Sequence, residues 1–277
     1  MVLEAKKSSI LYCGIHSDLG LEALDSSQAA SEGEYFQELV VNATQKYKQN
    51  SGDSIELACI GNRLIALFSS PETLEDNVWT AVQTAVEMRL RLAEYNEVRR
   101  SVGRPAIKTG IGINSDCIFS EGASSDRTIN FAAIGDGANL ASHLEEASKI
   151  YGVDIAIGDN VYNSCADRIW VRGLDFIKVK EKTEPVKIYE LLGIKKGYGD
   201  LGADLTAEQK AIVEAYKKGR ELYYNRQFLE ALAQFAQVLA IDNGNKAAAL
   251  HMDRCNHFLM EPPGYDWDGV WKLASKW

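Results

Sequence analysis

The order of strand-like and helix-like segments constrains the fold of this chain most. Over the first 195 residues, short β-type runs alternate with amphipathic helical patterns in the order β-α-β-β-α-β, followed by an extension of further short strands. The central pair of runs is separated only by Gly61-Asn62, a spacing typical of a tight hairpin. This order predicts an α+β domain with helices packed on a sheet. The predicted strands are 8–15, 54–60, 63–68, 107–113, 129–134, 153–157, 176–179 and 186–191.

Start signals place the three main helices of this domain. Ser31-x-x-Glu34 has the form of a capping box, so the first helix is expected to begin there. Ser70 is expected to cap a long second helix that Pro71 opens. Asp136 is the predicted N-cap of the third helix, and this role alone accounts for an acid at that position.

The chain becomes helical throughout after a glycine-rich stretch. We therefore predict a domain over residues 1–195, a linker over 196–204 and a helical tail over 205–277. Small and aromatic residues in the tail are spaced as in a TPR helix pair, although any amphipathic helical hairpin would share part of that pattern. A single repeat is fewer than the roughly three that such solenoids need, so the tail should pack on another surface. The residues with this spacing are Gly219, Phe228, Ala231, Leu232 and Phe235.

Composition excludes several classes of protein. The five cysteines, at positions 13, 59, 117, 165 and 255, contain no C-x-x-C pair, so neither a disulfide framework nor a zinc site is predicted. A net charge of -9 without a compensating basic run argues against nucleic acid and anionic lipid as partners. No apolar run approaches the ~18 residues of a membrane span, so we expect a cytoplasmic protein that does not bind membranes.

Several motifs resemble a known family. The run Ile129-Asn-Phe-Ala-Ala-Ile-Gly-Asp-Gly-Ala-Asn-Leu-Ala-Ser-His-Leu-Glu145 is similar to the central signature of class III adenylate and guanylate cyclases, in their bacterial form. The preceding Thr109-Gly-Ile-Gly-Ile-Asn114, the hairpin Ala58-Cys-Ile-Gly-Asn62 and the segment Glu184-Pro-Val-Lys-Ile-Tyr-Glu-Leu191 follow the family order. The likeness covers roughly residues 8–193. Residues 262–271 are similar to a tail found after TPR-like helices in some bacterial members.

This resemblance implies a fold, a chemistry and an assembly. The fold would be ferredoxin-like (βαββαβ), and two domains would pair head to tail with composite sites at their interface. In the family reaction a ribose 3′-hydroxyl attacks the α-phosphorus and pyrophosphate leaves, with metal ions held by two aspartates. Those aspartates correspond to Gly14 and Asn62, which lack a carboxylate, and Asp18 lies on the order of 13 Å from Gly14 along an extended chain. The sequence therefore predicts no metal, and Mg²⁺ or Mn²⁺ is expected only if the chain is an enzyme.

The other half of the composite site is also altered. The base-reading pair corresponds to Ala58 and Ala132, which cannot hydrogen-bond a purine. The transition-state arginine corresponds to His143, which cannot reproduce a guanidinium fork. Two family functional residues are kept as possible nucleotide contacts, namely Asn139 and Lys180, with Lys182 as a second match for the lysine.

Three functions are compatible with these positions. We predict a non-catalytic signalling or scaffold module that forms a homodimer or heterodimer through the cyclase-type surface, with a protein partner at the TPR-like tail. One alternative is a divergent active adenylate or guanylate cyclase whose ligands are relocated. Another is a sensor that binds a small ligand in a cleft lined by Cys13, Ala58, Cys59 and Ala132.

Overall fold

The computed structural model describes residues 4–16, 26–47, 54–60, 63–69, 74–120, 136–178 and 185–270. The strands are β1 (Glu4–Ile15), β2 (Ser54–Ile60), β3 (Arg63–Ser69), β4 (Thr109–Ser120), β5 (Ile155–Gly158), β6 (Ile169–Ile177) and β7 (Val186–Ile194). The helices are α1 (Ser26–Lys46), α2 (Leu74–Ser101), α3 (Asp136–Tyr151), α4 (Asp159–Cys165), α5 (Ala207–Tyr224), α6 (Phe228–Ile241) and α7 (Lys246–Met260).

The described strands form one seven-stranded sheet in the order β2-β3-β1-β4-β5-β7-β6. Strands β4 and β5 are parallel, and every other pair of neighbours is antiparallel. Helices and strands are mixed along the chain, so the predicted α+β class is confirmed.

The two faces of the sheet pack against different helices. Alternation along β1 sends Leu11 and Cys13 into a core shared with α1, α2 and α4, whereas Ile10 packs with Ile65 and with Ala141 of α3. A second large core lies on the α3 side and includes residues of α5, α6 and α7. The helical tail is therefore packed on the sheet, as its small number of helices led us to expect.

Glycine on β4 sets the position of α3. A Cβ atom on Gly112 would collide with the carbonyl oxygen of Ala141 and the backbone nitrogen of Glu145, both in α3. Because glycine lacks that atom, the helix backbone lies directly on the strand. The Thr109-Gly-Ile-Gly motif therefore sets the depth at which α3 presents its side chains to the sheet.

Several predicted boundaries are wrong. Helix α1 begins at Ser26, so Ser31 and Glu34 lie inside it, because a capping-box pattern can also occur by chance within a helix. Strand β6 begins at Ile169 instead of 176, because register shifts near Trp170 and Gly173 break the alternation on which sequence reasoning depends.

Strand β1 begins at Glu4 instead of 8 and β4 ends at Ser120 instead of 113, because the two strands pair antiparallel over their whole length. The remaining elements occur where they were predicted or fall outside the described residues. The hairpin strands β2 and β3 and the long helix α2 occur where they were predicted. Asp136 is the first residue of α3. The predicted strand at 129–134, the turn at 61–62 and the cap at Ser70 lie outside the described part of the chain. Within the described ranges, no helix is both long and apolar enough to cross a membrane.

Candidate active site

A polar cluster lies where β1 ends beneath α3. Strand β1 brings Gly14 and, one residue past its end, His16 to the α3 face of the sheet. Arg63 is the first residue of β3 and pairs directly with Gly14 across the strands. Helix α3 adds Glu145, which closes the cluster from above.

The carboxylate of Glu145 occupies the space beside Gly14. A Cβ atom built on Gly14 would lie 2.5 Å from Oε1 and 2.9 Å from Cδ of Glu145. A larger residue at position 14 would therefore have to displace this side chain. Gly14 is the position that the family resemblance assigns to a metal-binding aspartate, so an anionic oxygen is still present at this end of β1, supplied by α3.

Two nitrogen groups face this carboxylate without making hydrogen bonds to it. His16 Nε2 lies 3.4 Å from Oε1, and Arg63 Nη2 lies 3.7 Å from Oε2. The Glu145 side chain is 5% exposed and that of His16 is 14% exposed. Among the described residues, Glu145 Oε2 and His16 Nε2 have no hydrogen-bond partner. A buried carboxylate normally accepts hydrogen bonds, so these atoms are available to bind a ligand.

Tyr12 borders the same cluster. Burial raises the pKa of its hydroxyl, while Arg63 acts to lower this pKa and Glu145 acts to raise it. The hydroxyl should therefore remain protonated at neutral pH, so Tyr12 adds no charge to the cluster.

The residues predicted for the second half-site are spread over two elements. Asn139 is exposed on α3, and His143 lies one turn further on, with Nδ1 3.7 Å from Glu146 Oε2. Ala58 is half-buried on β2 and pairs with Ile65. Asn62, Ala132 and Lys180 lie outside the described residues, as do the alternatives Asp18 and Lys182.

The predicted lining of a ligand cleft needs one correction. Cys13 is fully buried in the core formed with α1 and α2, on the opposite face of the sheet from Ala58. Burial also raises the pKa of its thiol. Because neighbouring residues of a strand point to opposite faces, Cys13 and Ala58 cannot line one cleft.

The residues at Gly14 fit the divalent cation of cyclase chemistry only in part. Gly14 supplies no ligand, and no group of three or more His, Cys, Asp or Glu suited to a metal occurs among the described residues. Magnesium, however, is commonly held by one or two carboxylates together with substrate phosphates and water. The buried, unpartnered oxygen of Glu145 satisfies that smaller requirement.

A second polar cluster lies between the sheet and the tail. Asp175 of β6 is fully buried and accepts hydrogen bonds from Tyr151 at 2.5 Å, from Tyr224 at 3.2 Å and from Arg254. Burial alone would raise the pKa of Asp175, but Arg254, His251 and Arg220 outweigh it and lower this pKa to about 2. The ion pair of Asp175 with Arg254 thus ties β6 and the end of α3 to α7.

Sequence reasoning missed Glu145 and Asp175 for different reasons. Glu145 was visible as the last residue of the family signature, but its position beside Gly14 depends on how α3 lies on the sheet. Asp175 falls in the irregular part of β6, where alternation gives no sign that its side chain is buried. The signal that could have found Glu145 is the loss of a side chain at Gly14, which creates a space for a neighbouring one.

The seven-stranded sheet, with α3 packed directly on Gly112 of β4, is a fold found in solved structures. Comparison with solved structures shows this fold. The adenylyl cyclase CyaB from P. aeruginosa superimposes with a TM-score of 0.60 at 22% identity, over 72% of this chain and 100% of that one. The guanylyl cyclase Cya2 superimposes with a TM-score of 0.56 at 22% identity, over 74% of this chain and 100% of that one. A non-canonical dimeric guanylyl cyclase domain from Blastocladiella emersonii superimposes with a TM-score of 0.53 at 15% identity, over 70% of this chain and 99% of that one.

Relatives in sequence have similar names. An adenylate cyclase of Anabaena cylindrica is 28% identical over 193 residues, which are 67% of this chain and 37% of that protein. Adenylate cyclase 1 of Rhizobium meliloti is 26% identical over 147 residues, which are 53% of this chain and 22% of that protein. The chain thus spans less than two fifths of either relative. No protein family model matches it. Together, relatives and structures support a class III cyclase homology domain.

These comparisons overturn the prediction of a non-catalytic scaffold. The relatives are named adenylate cyclases, and the solved structures are of adenylyl and guanylyl cyclases. They favour the alternative of a divergent cyclase. The prediction considered each family position separately. In the structure, however, Glu145 of α3 places a carboxylate beside Gly14 of β1.

Proposed function

We propose that this domain is a divergent adenylate cyclase that converts ATP to cyclic AMP and pyrophosphate. The observation that carries the proposal is the Glu145 carboxylate, which stands in the space beside Gly14 at the end of β1. The names of the relatives in sequence supply the substrate.

The ribose 3′-oxygen bonds to the α-phosphorus, and the bond from that phosphorus to the pyrophosphate oxygen breaks. The proton of the 3′-hydroxyl passes through solvent to the departing pyrophosphate, so the reaction balances. A divalent cation bound by Glu145 would polarise the phosphate oxygens. Arg63, whose side chain is 42% exposed, would contact the negatively charged triphosphate at the same end of the sheet.

Other side chains would act across a dimer interface. Exposed Asn139 and half-buried His143 share one side of α3, where they would contact the nucleotide held mainly by a second cyclase domain. The ferredoxin-like core of the family pairs in this manner. The small side chain of Ala58 offers no hydrogen bond to a base, so selection of ATP over GTP should be weak. The TPR-like tail would bind a further protein.

The proposal is tested by product analysis. The purified chain is incubated with ATP or GTP and with Mg²⁺ or Mn²⁺, and cyclic nucleotides are measured by mass spectrometry. We expect cyclic AMP from ATP, and cyclic GMP at a rate within about tenfold of it. A tenfold preference requires about 1.4 kcal/mol of differential binding, and Ala58 makes no hydrogen bond that could distinguish the two bases. Absence of cyclic AMP from ATP with both Mg²⁺ and Mn²⁺ would refute the proposal.

A further inference from the structure

Resting on the proposed function, we propose that the helical tail positions α3 for catalysis, through a hydrogen-bonded link from Arg254 and Asp175 to Tyr151. Tyr151 is the last residue of α3, and Arg254 lies on α7. The three side chains are positioning residues, since they act on the reaction through α3 and not by contact with the nucleotide. The tail is then a working part of the cyclase as well as a place for a partner to bind.

The Asp175 carboxylate gathers hydrogen bonds from three helices. Tyr151 of α3 donates to Oδ2 at 2.5 Å, and Tyr224 of α5 donates to Oδ1 at 3.2 Å. Through its two terminal nitrogens, Arg254 of α7 donates to Asp175 and, at 3.3 Å, to the Tyr151 hydroxyl. Asp175, Tyr151 and Arg254 are each exposed by 2% or less. Because water does not compete for these groups, each hydrogen bond restricts the geometry of the others.

A glycine at the end of α3 brings α7 into contact with it. Gly152 has a φ of 67°, and Val153 N donates to the carbonyl oxygen of Ser148 at 2.9 Å, the pattern of a Schellman cap. A Cβ atom on Gly152 would lie 2.8 Å from Cβ of Lys246, the first residue of α7. The start of α7 therefore lies directly against the end of α3.

The start of α7 is also anchored to the sheet. Asn245 caps this helix by accepting a hydrogen bond from Ala248 N. The same Asn245 oxygen accepts from Arg172 of β6 at 3.2 Å, and Arg172 pairs with Glu190 of β7 at 2.7 Å. A helix that is held by the sheet at its cap can in turn hold α3.

The orientation of α3 matters because the helix carries side chains of the candidate site. Contact with Gly112 sets how deep α3 lies, whereas the link at Tyr151 limits how far the helix turns about its own axis. A turn of about 10° moves a side chain that lies about 6 Å from the axis by about 1 Å. A misplacement of about 1 Å can lower a catalytic rate by about a hundredfold. The carboxylate of Glu145, fitted beside Gly14, is sensitive to a movement of this size.

Two tyrosine variants separate positioning from general loosening of the junction. Y151F and Y224F each remove one hydroxyl that donates to Asp175, the first from α3 and the second from α5. With ATP and Mg²⁺ or Mn²⁺, we expect kcat to fall about tenfold in Y151F and to stay within about twofold of the wild type in Y224F. KM for ATP should stay within about twofold in both variants, because Arg63, which would contact the triphosphate, belongs to β3.

Amide hydrogen exchange measures the hold on α3 without any catalysis. In the absence of nucleotide, peptides covering residues 136–151 should exchange at least about threefold faster in Y151F than in Y224F or the wild type. R254K keeps the charge beside Asp175 but loses the planar fork that reaches both Asp175 and Tyr151, so it should behave as Y151F does. Circular dichroism checks that each variant is folded, and R254K carries the test if Y151F is not.

The two measurements distinguish failure of this proposal from failure of the proposed function. If the wild type makes cyclic AMP, equal kcat values for Y151F and Y224F overturn the positioning role, whether both are reduced or neither is. Equal exchange of α3 in the two variants overturns it as well. If the wild type makes no cyclic AMP, the proposed function fails, and the exchange of α3 alone decides whether the tail positions this helix.

Discussion

Gly14 and Glu145 share one volume between a strand and a helix. An aspartate at position 14 would collide with the carboxylate that now fills the space, and the two negative charges would repel each other. The absence of a side chain on β1 and the presence of one on α3 are therefore a single structural feature. Although glycine stands at position 14, where the family resemblance places an aspartate, the Glu145 carboxylate is still present at this end of β1.

The coupling predicts the result of a minimal substitution. Gly14→Ala places a methyl group 2.5 Å from Glu145 Oε1, so we expect overpacking to lower the free energy of unfolding by about 1–3 kcal/mol. In the background of Glu145→Ala the same change should cost much less, because the obstructing side chain is gone. Denaturant unfolding of the four proteins measures this coupling.

Gly193→Ala is the control that distinguishes steric overlap at position 14 from the general effect of replacing glycine by alanine in a strand. Gly193 also lies on a strand, and a Cβ atom there would lie 3.9 Å from Arg89 Nη2, an ordinary contact. Gly193→Ala should therefore leave the stability within about 0.5 kcal/mol of the wild type. Equal effects of Gly14→Ala in both backgrounds would contradict the shared volume.

Helix α3 is held at two points, near its middle and at its last residue. Near its middle it rests on Gly112 of β4, and at its last residue Tyr151 donates a hydrogen bond to Asp175. Arg254 of α7 donates to both Asp175 and Tyr151. The tail thus holds the same helix that presents Glu145 to Gly14, so packing of the tail and geometry of the site are connected through one rigid element.

Removing Arg254 should lower the free energy of unfolding, because the buried Asp175 carboxylate loses its ion pair. Arg254→Met leaves the Asp175 carboxylate fully buried without its main counter-charge, and we expect a loss of about 3–5 kcal/mol in the free energy of unfolding. Asp175→Asn combined with Arg254→Met removes both charges and should be destabilised by less than the sum of the single changes. Chemical denaturation provides all three values, and strict additivity would contradict a direct ion pair.

The chain folds around a core shared by the sheet, α3 and the tail. Apolar residues of β6 and β7 pack in one cluster with Tyr216, Phe235 and Phe258 of the three tail helices. His251 of α7 is buried in the same region, with Nδ1 3.0 Å from the carbonyl oxygen of Ala247 and Nε2 3.9 Å from Asp175. A titratable group at the junction makes stability of the whole structure depend on pH.

Acid should weaken this junction through two groups whose pH ranges overlap. Burial lowers the pKa of His251 from 6.5 to about 3, opposed by Asp175 and assisted by Arg254 and Arg220. Between these values the unfolded chain binds the extra proton, so the free energy of unfolding falls as the pH drops from 6.5 toward 3. Asp175, with its pKa lowered from 3.8 to about 2, adds a further loss only below pH 3.8.

Thermal unfolding at a series of pH values tests this effect. We expect the melting temperature of the wild type to fall between pH 6.5 and 4, and the slope to be shallower in His251→Asn, whose amide does not titrate but can still donate to Ala247. The buried charged and phenolic groups around it, Asp175, Arg254, Arg220 and Tyr216, are unchanged in this variant. Identical slopes for the two proteins would contradict the assignment to His251.

Local patterns in the chain were enough to predict most of the elements. Apolar alternation and helical spacing gave the hairpin of β2 and β3, the long helix α2 and the helical tail, since these depend on contacts between residues near in sequence. The same patterns failed at β6, where bulges interrupt alternation, and at the start of α1, where a cap-like motif lies inside the helix.

The candidate site depends instead on contacts between distant residues. The identities of Gly14, Ala58 and His143 can be read from the chain, and they suggested lost chemistry. That Glu145 fills the space of Gly14 is set by the seating of α3 on Gly112, and the burial of Asp175 is set by α7, 79 residues further along the chain. The sequence determines which side chains are present. The packing of helices on the sheet determines which of them come into contact, because these contacts join segments that are far apart in the chain and no local sequence pattern links them.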